Sequence, residues 1–350
     1  MAFMNISGWK ISGVAAAVPR NVEENSDYEH LSSIERKFLI KTTGIERRRV
    51  APKNIVTSDL CEVAANALLD KLKWEREDVD LIIFVSQSPD YYLPATSIIL
   101  QNKLKLSSNC LAFDIGLGCS GYVYGLSVIA SMISAGHLKK ALLLVGDVSS
   151  STVSYTDKST YPLFGDAGTA TAIEYDEHAT AHFNLKSDGA GHEAIIIRDG
   201  ALRNMVTKDS FEVKQVSEGI SRCALDLELD GLEVYDFSVK RVPVMIKELL
   251  DSIDRTAQNY DYFVMHQANK IMNETIRKKI GFSADQTPYS LKNYGNTSSA
   301  SIPLTICSEL NNSLKVGKNR MLLSGFGVGL SWGAVDLELN NCICLPIIEV

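Results

Sequence analysis

Apolar and polar positions along this chain switch between two periods. Continuous apolar runs at 81–85, 141–145, 263–265 and 321–323 read as buried strands. Between them, apolar residues recur at helical spacing over 59–72, 97–104, 122–135, 242–253, 269–280 and 301–310. This alternation predicts an α/β fold with a largely parallel sheet clothed by helices. The opening MAFMNISGWKISGVAAAVP has alternating apolar residues and no charged leader, and reads as a first strand rather than a targeting segment. No run of 18 apolar residues occurs, so no membrane-spanning helix and no membrane partner are predicted.

The pattern also repeats. Leu68, Leu69 and Asp70 precede the strand-like DLIIFV at Asp80; Leu249, Leu250 and Asp251 precede DYFVMH at Asp261. From 68 to 249 and from 80 to 261 the offset is 181 residues, and from Leu142–Leu143 to Leu322–Leu323 it is 180. Cys119 and its helix fall opposite Thr297 and the helix from Ser301, about 178 residues on. A duplicated unit is predicted, with an N-terminal half over 1–178 and a C-terminal half over 179–350. Turns at matching strand ends would then converge near a pseudo-two-fold axis, where open α/β sheets bind ligands.

Three such turns carry chemistry. The stretch FDIGLGCSGYVYGLSVIASMISAG places Cys119 between a strand and a helix. There the helix dipole and free N–H groups favour thiolate, the nucleophilic form. A small buried hydrophobe is the other reading of a free cysteine, and the local sequence leaves both open. In VMHQANKIM, His266 ends a strand and precedes a helix, and in NYGNTSSASIP, Asn296 sits in a turn before Ser301. Alone, each reads as a structural imidazole or a cap. Together on a duplicated framework, a cysteine, an imidazole and an amide make a workable acyl-transfer site.

Composition adds exclusions. A 45% hydrophobic, 22% charged chain of 350 residues is ordinary globular material, and its net charge of −7 disfavours nucleic acid as a partner. The basic stretch Lys37, Lys41, Arg47, Arg48, Arg49 and Lys53 reads as a solvated face or a landing site for an acidic or phosphate-bearing partner. The same two readings apply to Arg277, Lys278 and Lys279. Seven cysteines, an odd number without zinc-ligand spacing, predict reduced thiols in the cytoplasm and no metal site; Cys342 and Cys344 read as structural.

The segments DIGLGCSGYVYGL, FGDAGTATAI, HQAN, YGNTSSASIP and GFGVGLSWG, in this order, resemble the thiolase-superfamily condensing enzymes, β-ketoacyl-acyl-carrier-protein synthase III above all. The resemblance runs from about Ile11 to Leu337 and implies a thiolase-like fold, two α/β halves in an α-β-α-β-α arrangement, usually in a homodimer. It makes Cys119 the acylated nucleophile, and makes His266 and Asn296 the pair that binds the extender thioester and promotes its decarboxylation. The N–H groups of Cys119 and Val328 form the implied oxyanion hole, the glycines allowing close approach. Phe164 and Phe326 match residues enclosing the nucleophile, with core filler as their bland alternative. Leu93 matches a pocket residue contributed across the dimer, and Lys158 a basic ligand contact. Asn269 and Lys270 match the neighbourhood of the substrate arm. Phe38 and Thr42 stand where the family has a Trp and an Arg that grip the adenine of coenzyme A, and Ile271 replaces an Arg that receives the carrier protein. The resemblance implies an acyl thioester and acyl carrier protein as partners and no cofactor beyond the phosphopantetheine arm. The departures point to a specialised acyl, glycan or secondary-metabolite pathway. Transfer of the acyl group to an amine or hydroxyl without condensation, and a non-catalytic partner subunit, are the alternatives.

Overall fold

Two stacked β-sheets, with helices between them and outside them, account for the alternating periods. The computed structural model describes residues 2–315 and 317–350. The first sheet contains β2 (Lys10–Val18), β5 (Leu81–Val85), β6 (Leu111–Ile115), β7 (Lys140–Asp147) and β8 (Ala167–Glu174). The tail strands β17 (Ile343–Cys344) and β18 (Ile348–Glu349) both pair with β2, and the main path runs β17-β2-β8-β7-β5-β6. The second sheet runs β1 (Ala2–Ser7), β9 (Thr180–Ser187), β16 (Ser331–Asn340), β15 (Lys318–Gly327), β14 (Tyr262–Met265). Small pairs lie outside both sheets: β3 (Val22–Glu24) with β4 (Arg47–Arg49), β10 (Ile195–Ile196) with β13 (Glu228–Leu229), and β11 (Lys214–Ser217) with β12 (Ile220–Arg222).

Helices α4 (Gly121–Ser134) and α8 (Ser301–Glu309) form the middle layer, each touching strands of both sheets. The helical stripe of α4 expected from sequence, Tyr122, Leu126, Ile129 and Ile133, is fully buried there, with β-branched and leucine side chains from both sheets around it. Helices α2 (Thr57–Leu72) and α3 (Thr96–Lys103) cover the outer face of the first sheet; α5 (Gly231–Ser252) and α6 (Lys270–Ile280) cover that of the second. The five expected layers are all present. The register pairs Leu81 with Ala141 in one sheet and Tyr262 with Met321 in the other, close to the offset read from the sequence.

Three expectations need correction. The sheets are mixed rather than largely parallel: β5 runs parallel to β6 and β7, and β14 to β15, but β7–β8, β2–β8, β15–β16 and β16–β9 are antiparallel. A tight turn at 328–330 reverses the chain between β15 and β16 without the helical crossover that parallel strands require. The single first strand is two. Gly8 at φ +87° turns the chain in a conformation that glycine adopts without strain, sending β1 to the second sheet and β2 to the first. Helix α5 begins 11 residues before the expected 242, because the Asp230 carboxylate accepts from the N–H groups of Leu232 (3.0 Å) and Glu233 (2.9 Å). Sequence periodicity also misses α1 (Ser33–Thr43), which buries no residue and is anchored by a Ser32–Glu35 capping box.

Leu126→Ala should lower the unfolding free energy by about 2–5 kcal/mol, because the middle layer is held between two sheets and cannot collapse onto the void. Chemical denaturation of the two proteins measures this, and a loss below about 1 kcal/mol would contradict that packing.

Candidate active site

Cys119 lies between β6 and α4, 6% exposed, and lines a cavity of about 380 Å³. The chain after β15 passes close over it. A Cβ on Gly327 would stand 2.6 Å from the Cys119 Cβ and 2.9 Å from Sγ, and Gly327 has φ +158°. Only glycine therefore lets the β15 end approach the sulfur, and this brings the Val328 N–H to it. The thiolate expected from the helix position is not the resting form. Burial pushes the thiol up to about 11, and the buried Asp147 adds to the rise. The Ser298 hydroxyl at 3.9 Å and the N–H groups of Val328 and Cys119 oppose it without prevailing. Desolvation outweighs these hydrogen bonds here.

His266 directly follows β14 and is 2% exposed, with its ring edge against Phe326 at a centroid distance of 5.4 Å. Burial lowers its pKa to about 3, so the ring is neutral at neutral pH and carries one proton. Ser301 Oγ stands 2.8 Å from Nδ1 and 2.8 Å from the Ser298 carbonyl oxygen. If Ser301 donates to Nδ1, the ring proton is on Nε2, a donor. If it donates to the carbonyl, Nδ1 holds the proton and Nε2 can accept. The Asn296 Oδ1 accepts from the Ser298 N–H at 2.9 Å. A backbone N–H only donates, so this fixes the carboxamide orientation and leaves its NH₂ as a donor at the cavity.

Two positioning residues carry no sequence signal. Asp147 ends β7, is 2% exposed, and accepts from Ser86 Oγ (3.0 Å), Gln87 N–H (2.7 Å), Ser299 N–H (3.2 Å) and Ser299 Oγ (2.5 Å). It joins the end of β5 to the Asn296 turn. Arg48, from the basic stretch, is 1% exposed. It bonds the Phe164 carbonyl (3.0 Å) and Glu23 (2.8 Å), and its side chain packs under Gly295. Phe164 in turn bridges Asn296 backbone to backbone.

The cavity brings together Cys119, His266, Asn296, Val328, Phe164, Asn269 and Phe326. Asn269 caps α6, accepting from the Met272 N–H at 2.9 Å. Phe38 (68% exposed on α1), Leu93 (82%), Lys158 and Lys270 lie outside it. Lys158 pairs with Glu35 at 3.4 Å, and Lys270 packs beside Gly44 at the end of α1. The Thr42 hydroxyl turns back to the carbonyls of its own helix. Neither basic cluster is simply a solvated face. Arg47, Arg48 and Arg49 pair with Glu24, Glu23 and Glu349, and Arg277 grips Glu274 through two bonds of 2.9 and 2.7 Å. Lys37, Lys41, Lys270 and Lys278 remain exposed.

Comparison with known proteins bears on these turns. The model of the family 3-oxoacyl-[acyl-carrier-protein (ACP)] synthase III matches residues 113–189, and the model of its C-terminal region matches 250–339. Beta-ketoacyl-[acyl-carrier-protein] synthase III of Clostridium perfringens is 33% identical over 333 residues, 94% of this chain and 99% of the relative. The chain belongs to the 3-oxoacyl-[acyl-carrier-protein] synthase III family. The Neisseria gonorrhoeae synthase III is 32% identical over 331 residues, 94% of this chain and 98% of its own. The crystal structure of a 3-oxoacyl-(acyl-carrier protein) synthase from Burkholderia xenovorans matches with a TM-score of 0.93 at 37% identity, covering 99% of both chains. As a synthase III family member, the chain is an acyltransferase with a thiolase-like fold. The two matched segments contain all three turns of the cavity.

The thiol's raised pKa predicts how Cys119 alkylates. In the ligand-free protein, its reaction with iodoacetamide should accelerate about tenfold per pH unit from pH 7 to 10, without a plateau, since the thiolate fraction is still rising below a pKa of about 11. A plateau below pH 8, read by intact mass, would mean the thiolate is the resting form.

Proposed function

We propose that this chain condenses an acyl thioester with a malonyl-type thioester through an acyl-Cys119 intermediate, releasing carbon dioxide. The observation that carries the reading is the convergence of Cys119, a neutral His266 and the outward NH₂ of Asn296 on one cavity. In the first half-reaction, Cys119 Sγ attacks the acyl carbonyl as His266 Nε2 takes the thiol proton. The N–H groups of Cys119 and Val328 hold the oxyanion, and the proton passes to the departing pantetheine sulfur. In the second, the malonyl thioester oxygen accepts from Asn296 Nδ2 and from His266 Nε2–H. The enolate formed as carbon dioxide leaves attacks the acyl-Cys119 carbonyl, and Cys119 is expelled and reprotonated. The two roles of His266 use its two tautomers, exchanged through Ser301. No cofactor enters these steps.

On this reading the substrate arm enters along Asn269, Phe164 and Phe326. An acyl carrier protein is the donor, because Thr42 and Phe38 offer the nucleotide of coenzyme A no cationic grip. The exposed Lys37, Lys41, Lys270 and Lys278 suit an acidic carrier surface. The enzyme works as a homodimer in the cytoplasm, where its seven unpaired cysteines stay reduced. Leu93, exposed and outside its own chain's cavity, then serves the partner's pocket. No described helix is long and apolar enough to cross a membrane.

Replacing His266 or Asn296 with Ala should slow carbon dioxide release by on the order of 10²–10³, and slow single-turnover acylation of Cys119 less. Acyl transfer to an amine or hydroxyl with no carbon dioxide from a malonyl thioester would overturn condensation. Delivery is tested separately: the same acyl group should load Cys119 faster from carrier protein than from coenzyme A, with the advantage shrinking as salt rises. A salt-insensitive preference for coenzyme A would rule out carrier delivery.

A further inference from the structure

Most of the cavity lining is apolar, but the wall beside Cys119, built by residues following β5 and β7, carries polar side chains around Val148. Gln87, Ser88, Ser149 and Thr152 line it. Two of these are already satisfied: the Ser88 hydroxyl stands 2.6 Å from that of Thr57, and the Thr152 hydroxyl donates to the Ser149 carbonyl at 2.9 Å. The Gln87 carboxamide, on an exposed residue, and the Ser149 hydroxyl, on a half-buried one, have no partner within the described residues, and both line the cavity of Cys119. Gln87 lies close to the nucleophile. Its Oε1 is 2.2 Å from where a Cβ of Gly118 would stand, so the missing side chain of Gly118 leaves room for the carboxamide one residue before Cys119.

Three kinds of acyl group would meet this wall differently. A wholly apolar acyl group would strip water from the carboxamide and the hydroxyl and give them no partner, a cost that a site built for hydrogen bonds imposes on apolar analogues. An acyl group ending in a carboxylate fares worse: no described Lys or Arg lines the cavity, and the Asp147 carboxyl lies in the same wall. A neutral hydroxyl fits. It can donate to Gln87 Oε1 while accepting from Ser149 Oγ or Gln87 Nε2. We propose that the acyl group loaded onto Cys119 is a short hydroxyacyl group whose hydroxyl is bound by Gln87 and Ser149. This rests on the reading of Cys119 as the acylated nucleophile.

An isosteric pair tests it: 3-hydroxybutyryl, in both enantiomers, against 3-methylbutyryl, which puts a methyl where the hydroxyl stands. Each is offered to the full chain on coenzyme A and on carrier protein, and single-turnover mass gain on Cys119 is followed. One enantiomer of the hydroxyacyl donor should react faster than 3-methylbutyryl by on the order of 10- to 100-fold. Gln87→Met and Ser149→Ala should each narrow that ratio while acylation by 3-methylbutyryl persists. Equal or faster acylation of the unaltered protein by 3-methylbutyryl overturns the proposal, with the nucleophile reading intact. So does a ratio that neither variant changes. Absence of mass gain with every donor overturns the nucleophile reading and this proposal together.

Discussion

The site depends on one buried carboxylate. Asp147 ends a strand of the first sheet, yet two of its bonds go to Ser299, in the turn that carries Asn296. The others hold Ser86 and Gln87 at the end of β5. Burial raises its pKa and its hydrogen-bond donors pull it back, so its stability in place depends on their geometry being kept. Asparagine could not simply substitute. Two of the donors are backbone N–H groups, and an amide nitrogen turned toward either would meet a donor with a donor. Arg48 supports the same turn from its other side through Phe164 and Gly295. The Asn296 turn is therefore clamped between two buried ionisable side chains contributed by residues far from it in sequence.

Burial sets the charge state of the site as firmly as its shape. Both the thiol and the imidazole are driven to their neutral forms, Cys119 to about 11 and His266 to about 3. A thiolate–imidazolium pair is thus disfavoured at rest, and charge need appear only as the substrate's carbonyl oxygen takes it up. On the proposed mechanism the N–H groups of Val328 and Cys119, which lie beside the sulfur, would donate to that oxygen, and such donors are worth most where no water competes. A neutral imidazole fits this scheme because one tautomer accepts at Nε2 while the other donates a hydrogen bond from it, whereas an imidazolium can only donate. With its low basicity, the ring takes the thiol proton only as the sulfur bonds to the carbonyl.

How much of this was legible from sequence follows from range. The strands at 81–85 and 263–265, the α4 stripe and the three turns ahead of helix-like runs rest on local periodicity, and these read correctly. Mixed sheet order did not, because a hairpin after β15 and a helical crossover leave the same apolar run. The split at Gly8 was hidden for the same reason: apolar alternation continues through it on both sides. Charge misled most. Arg48 stands among five other basic residues and reads as surface, yet its partners Glu23, Phe164 and Tyr161 come from distant segments. Asp147 was silent because nothing local marks a carboxylate that will be buried. The expected thiolate failed because a helix N-terminus is local information, whereas desolvation is a property of the whole fold.

The cavity also separates chemistry from selectivity. Cys119, His266 and Asn296 hang from strand ends and helix starts tied to both sheets, and small displacements there would cost buried hydrogen bonds. Much of the remaining wall comes from irregular chain: 148–152 after β7, and the long connection from 188 to 230 with its short β10 and β13. Such segments tolerate substitution without moving the sheets. Outside the cavity, Thr42 and Phe38 vary a surface that no catalytic side chain leans on. On the proposed function, this arrangement would let one acyl-transfer centre persist while the wall sets which acyl group is accepted and the rim sets what delivers it. Gln87 stands at the junction of the two systems: its backbone N–H holds Asp147, and its side chain faces the cavity. A change of its side chain can therefore alter selectivity while the backbone bond to the clamp is kept.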